Sequence, residues 1–133
     1  MKLQYEDSGV IKESEISTFE EVKNSLNKIE AYDYPYLILV KENGNYIQCT
    51  GDRNRLTIKI RFFSNNSFKH FVIGKKEQSK VWVTIANKIG PIRVLFHEVL
   101  NIDDAVIVFN EFYDNGIISN DFNKRNITKY FSA

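Results

Sequence analysis

Between Arg55 and Phe62 polar and apolar side chains alternate without a break. Arg55, Thr57, Lys59 and Arg61 point one way, and Leu56, Ile58, Ile60 and Phe62 point the other. That pattern predicts a strand with one wet face and one dry face. Tyr36 to Lys41 is instead an almost continuous apolar run, as expected of a central strand. Glu42-Asn43-Gly44-Asn45 reads as a hairpin turn, because Asn-Gly adopts positive φ at little cost. Tyr46 to Thr50 is the return strand, and Gly51-Asp52 opens another turn. Further strands are predicted over Phe68 to Ile73, Val81 to Ala86 and Ile92 to His97, separated by polar, charged or Pro-containing loops.

Two segments carry a helical period. From about Thr18 to Ile29, Phe19, Val22, Leu26 and Ile29 share one face. Ser17 with Glu20, or Thr18 with Glu21, has the spacing of a capping box at its start. From about Ile102 to Asn115 the stripe is Ile102, Ala105, Val106, Phe109, Phe112 and Tyr113. Asn101 or Asp103 is placed to cap that helix, and Gly116 to end it. The tail from Asp121 to Ala133 has no clear period, but Ile127, Tyr130 and Phe131 predict that it docks. No linker, repeat or low-complexity tract divides the chain, so residues 1–133 read as a single domain. The expected class is α+β, an antiparallel sheet of about six strands with the two main helices packed on one face and the other face at least partly open. Val22, Leu26, Leu39, Ile58, Ile60, Phe109 and Phe112 are the expected shared core.

Composition narrows the setting. Cys49 is the only cysteine, which excludes an internal disulfide and any multi-cysteine metal site. The first ten residues, MKLQYEDSGV, lack the apolar stretch of a signal peptide, and Tyr34 to Val40 is too short to cross a bilayer. The expected location is therefore cytoplasmic, with no membrane partner. The formal charge of +1 conceals strong segregation. Residues 1–21 hold six acids against Lys2 and Lys12, and residues 53–80 hold eight Lys and Arg against Glu77 alone. Residues 101–121 hold five acids and no base.

A search for chemistry returns little. His70 and His97 lie far apart without a ligand-spaced partner, and Cys49 shares core parity with Ile47. No phosphate-binding glycine loop and no nucleophile elbow is present. Glu20-Glu21 and Asp103-Asp104 fall in first helical turns, where the helix dipole accounts for them. The expectation is a protein that is not an enzyme, with no catalytic residue, no metal site and no cofactor.

The basic row stands out from this background. Arg55, Lys59 and Arg61 share a strand face, with Tyr46 and Gln48 at matching parity on the strand before. Such a row is either a solvated outer surface that discourages edge pairing or a partner-binding surface. As a surface it suits carboxylates or phosphates, which Arg grips with its fork, while Tyr supplies rigid contact area. Nucleic acid is not the expected partner. Phe62 is on the core parity, and Phe63, Phe68 and Phe71 are not interleaved with the row as a stacking platform.

Three stretches together resemble one family. They are YPYLILV (residues 34–40), GNYIQCTG (44–51) and IDDAVIVFNEFYDNG (102–116). In that order they resemble small immunity proteins of bacterial polymorphic-toxin and contact-dependent inhibition systems, over roughly Thr18 to Phe131. The resemblance implies a protein that binds and neutralises a cognate toxin domain by covering its active site, with no catalytic residues to carry over. The alternative is a small ligand-binding or enzymatic domain with an aromatic pocket between sheet and helices.

Overall fold

The structure, a computed structural model, describes residues 1–131. Ser132 and Ala133, the last two residues of the predicted docking tail, lie outside the described residues. The chain is α+β, built on an antiparallel sheet that has seven strands among the described residues, close to the expected count of about six. In chain order the elements are β1 (Lys2–Asp7), β2 (Val10–Glu15), α1 (Phe19–Leu26), β3 (Tyr36–Val40) and β4 (Tyr46–Asp52). There follow β5 (Arg55–Ser64), β6 (Ser67–Lys75), β7 (Trp82–Ile85), β8 (Ile92–Leu95), α2 (Ile102–Asn115) and β9 (Phe122–Asn126). The main sheet runs β2-β1-β3-β4-β5-β6-β9.

Two of its strands come from the N-terminal segment, where no strand was expected. β1 and β2 form a hairpin around Ser8 and Gly9, with φ of 52° and 85°. β2 is an exposed edge strand with no buried residue, so it carries no alternation to be read. β1 pairs with β3 and contributes Leu3 to the core. The last strand, β9, pairs with β6 and places Arg125 opposite Val72.

α1 and α2 pack together on one face of the sheet. Thr18 with Glu21 closes the capping box of α1, and Asn101 with Asp104 closes that of α2. Gly116 ends α2 in the left-handed region at φ 73°. Val22, Leu26, Leu39, Ile58, Ile60, Phe109 and Phe112 are all fully buried in one cluster, as their periodicity predicts. The space between sheet and helices is filled by that cluster.

The opposite face is where the expected architecture needs correcting. β7 and β8 do not join the main sheet. They pair with each other as a separate ribbon laid across the sheet's second face. Ile85 and Val94 of the ribbon meet Val72 of β6 and Ile127 behind β9 in a second, smaller core. Alternation identifies a strand but says nothing about which sheet it enters. The ribbon is fastened at its base: Asn87 Nδ2 donates to the Pro35 carbonyl at 3.0 Å, Lys88 N to the Ala31 carbonyl at 3.0 Å, and Lys88 pairs with Glu6. The molecule thus has helices on one side of the sheet, and the ribbon with the C-terminal turn Thr128–Phe131 on part of the other.

Candidate functional site: a cationic cleft on the second face of the sheet

The ribbon does not cover the whole second face. Where it stops, a cleft of about 250 Å³ opens beside the outward residues of β4, β5 and β6. The antiparallel registers Gln48↔Lys59 and Tyr46↔Arg61 bring four of the five residues of the predicted binding row into its wall. Arg55, the fifth, lies beyond it: the side chain is exposed and Nη2 donates to the Thr84 carbonyl at 3.1 Å. That bond holds the ribbon to β5.

Arg61 is the most constrained of the row. Register places it opposite His70, and its Nε donates to His70 Nδ1 at 3.0 Å. Its guanidinium carbon stands 4.0 Å from the ring centre of Phe68, 4.7 Å from that of Phe131 and 5.7 Å from that of Tyr46. Its two terminal amino groups make no hydrogen bond or ion pair among the described residues. The guanidinium is therefore held in place, with donors to spare.

His70 is buried, and its backbone is tied to the tail. Its N–H donates to Thr128 Oγ1 at 2.9 Å, and its carbonyl accepts from Ile127 N at 2.8 Å. Burial, followed by the nearby charges of Arg61 and Lys59, pushes its pKa down to about 4. A ring that accepts at Nδ1 and stays neutral carries its proton on Nε2.

Lys59 sits between the cleft and a smaller hollow of about 180 Å³ under the ribbon. Burial lowers its pKa, Arg125 lowers it further, and Glu98 opposes both. Glu98 is wholly buried and already committed, gripped by Arg125 Nε at 2.8 Å and Nη2 at 2.9 Å. Trp82 of the ribbon faces both Arg93 and Arg125, with ring-centre distances of 5.5 and 5.3 Å. The neighbourhood is net cationic.

Several participants escaped the sequence reading. Parity puts Thr57 on the outward face of β5 with Lys59 and Arg61, as found, but there it is buried in the cleft wall rather than wet. His70 and Arg125 carry no local signal, because they reach the site through register, and the apolar tail that contains Phe131 predicts docking but not where it docks. His97 and Cys49 are not brought to it. Cys49 is buried in the helix-side core, where burial pushes its thiol far above the usual range. His97 lines a separate hollow of about 390 Å³ with Lys75, Gln78 and Ser79, and its Nδ1 accepts from Ser79 N at 3.0 Å. Among the described residues no three His, Cys, Asp or Glu side chains gather as a metal site, and no helix is long and apolar enough to cross a membrane.

No known protein family matches the chain, and no curated protein matches it in sequence.

Proposed function

We propose that this chain is an immunity-type protein that binds and neutralises a cognate bacterial toxin domain, covering its active site and acting in the cytoplasm without turnover of its own. The docking face is the second face of the sheet around Tyr46, Gln48, Lys59 and Arg61, and the partner surface it fits is acidic. The observation that carries the reading is the guanidinium of Arg61, set in the corner formed by the rings of Phe68 and Phe131 with its terminal donors unused. Arg is among the residue types enriched at interface anchors, and one already positioned beside aromatic side chains has little side-chain entropy left to lose on binding. A filled core between sheet and helices supports an inhibitor over a domain that encloses its ligand there.

The test uses the product of the adjacent reading frame as partner, measured by calorimetric titration. Lys59→Glu with Arg61→Glu is expected to weaken binding by about 100-fold or more. The control belongs at Asp103 and Asp114, which are exposed on α2. Asp104 is unsuitable because it closes the capping box, and Glu111 because it accepts from Ser119 N at 3.1 Å. Asp103→Lys with Asp114→Lys is expected to leave binding unchanged. Loss of binding in the helical pair with retention in the sheet pair would move the interface to the other side of the molecule.

A further inference from the structure

Thr57 and Lys59 occupy successive outward positions of β5, and the fold uses the polar end of neither. Thr57 is 2 % exposed, and its Oγ1 has no hydrogen-bond partner among the described residues. Lys59 makes no ion pair among them, and its nearest acid, Glu98, is already held by both nitrogens of the Arg125 fork. A buried hydroxyl without a partner and a half-buried ammonium without a counter-charge both oppose folding. Valine and methionine would fill the same space more favourably.

The wall of the cleft is also mixed in character. Thr57, Lys59 and Arg61 with Gln48 and Thr50 give it polar and cationic groups, while Ile89, Ile92 and Phe131 give it apolar ones. Gln48 Nε2 donates to Thr50 Oγ1 at 3.1 Å, which leaves the Thr50 hydroxyl hydrogen free to donate onward.

We propose that this cleft is a binding site for a small organic carboxylate with a compact apolar body. The carboxylate pairs with Lys59 and, with a turn of the Thr57 side chain that brings its buried hydroxyl to the cleft, accepts from Thr57 Oγ1, and Arg61 supplies a further donor at the rim. The apolar body lies against Ile89, Ile92 and Phe131. A bare inorganic anion would strand those apolar groups, and a neutral isostere would leave Lys59 without a counter-charge. The cleft's volume of about 250 Å³ admits a molecule with a single ring. The inference stands apart from the toxin-binding reading, because it concerns the isolated chain and needs no protein partner.

The experiment is an amide chemical-shift titration of the whole chain with benzoate, benzyl alcohol and inorganic phosphate in parallel. Benzoate is expected to give saturable shifts centred on Thr57, Lys59 and Arg61. Benzyl alcohol and phosphate are each expected to bind at least about tenfold more weakly, the worth of one charge-assisted contact. Thr57→Val and Lys59→Met are each expected to weaken benzoate by a similar factor, with urea midpoints no lower than that of the wild type. The exposed Lys69→Met is the control and is expected to bind benzoate as the wild type does. Failure of benzoate to saturate by about 10 mM overturns the proposal. So does equal binding of benzyl alcohol or phosphate, or benzoate affinity unchanged in both Thr57→Val and Lys59→Met. A toxin partner lost in the variant carrying Lys59→Glu with Arg61→Glu, with benzoate binding absent from the wild type, would sink this inference and leave the inhibitor reading intact.

Discussion

Arg61 and His70 face one another across β5 and β6, joined by a 3.0 Å hydrogen bond from Arg61 Nε to His70 Nδ1. The bond exists only while His70 is neutral, since a protonated ring has no acceptor at Nδ1. Two features of the site follow from it. The guanidinium is fixed in its aromatic slot, and the imidazole is fixed as one tautomer.

Stability should therefore depend on His70 in a defined pH window. Folding lowers its pKa from 6.5 to about 4, so the folded state resists taking up a proton that the unfolded state binds readily. The stabilisation is fully present above pH 6.5 and is lost as the pH falls towards about 4. Urea midpoints of the wild type and of His70→Asn, which keeps an acceptor but cannot titrate, should draw together as the pH drops through that window. A constant gap between them would show that His70 does not titrate as its surroundings dictate.

The two phenylalanines of α2 supply a test of the core. Phe109 and Phe112 are both fully buried, packed with α1 and the inner face of the sheet. Each Phe→Ala change is expected to cost about 3–5 kcal/mol, from lost burial and the cavity left behind. Chemical denaturation measures it directly, and losses under about 1 kcal/mol at both sites would contradict this packing.

Gly51 and Gly9 should respond differently to the same substitution. Both have positive φ, 135° and 85° respectively. A Cβ on Gly51 would stand 2.5 Å from the Arg55 carbonyl oxygen and 2.8 Å from Leu56 Cα, both backbone atoms, whereas one on Gly9 would meet nothing within 4 Å. Gly9→Ala is expected to cost only the left-handed backbone penalty of about 1–2 kcal/mol. Gly51→Ala adds an overpacking term of about 1–3 kcal/mol, because the turn between β4 and β5 must shift. Thermal midpoints of the two variants should rank in that order, and equal midpoints would mean that the turn yields freely.

What the sequence by itself determined is what local periodicity can encode. Alternation over Arg55 to Phe62 identified β5 and sorted Ile58 and Ile60 inward from Lys59 and Arg61 outward, as found. The helical stripe of α2 placed Phe109 and Phe112 in the core, Gly116 marked its end, and of the two candidate caps Asn101 and Asp103 the structure uses Asn101. These signals are legible because burial on one side of an element repeats with that element's own period. The N-terminal hairpin gave no such signal, since β2 buries no residue.

Only the tertiary structure decided which elements meet. The strands expected over Val81 to Ala86 and Ile92 to His97, found as Trp82–Ile85 and Ile92–Leu95, would serve a sheet position or a ribbon, and here they form a ribbon that turns an open face into a cleft. Arg61 meets His70 because β5 and β6 pair in one register, and a shift of a single residue would separate them. Phe131 reaches Arg61 from 70 positions away in sequence through the docking of the C-terminal turn. Such pairings are set by the packing of the whole chain, where long-range apolar contacts such as Val72 with Ile85, Val94 and Ile127 outweigh any local preference.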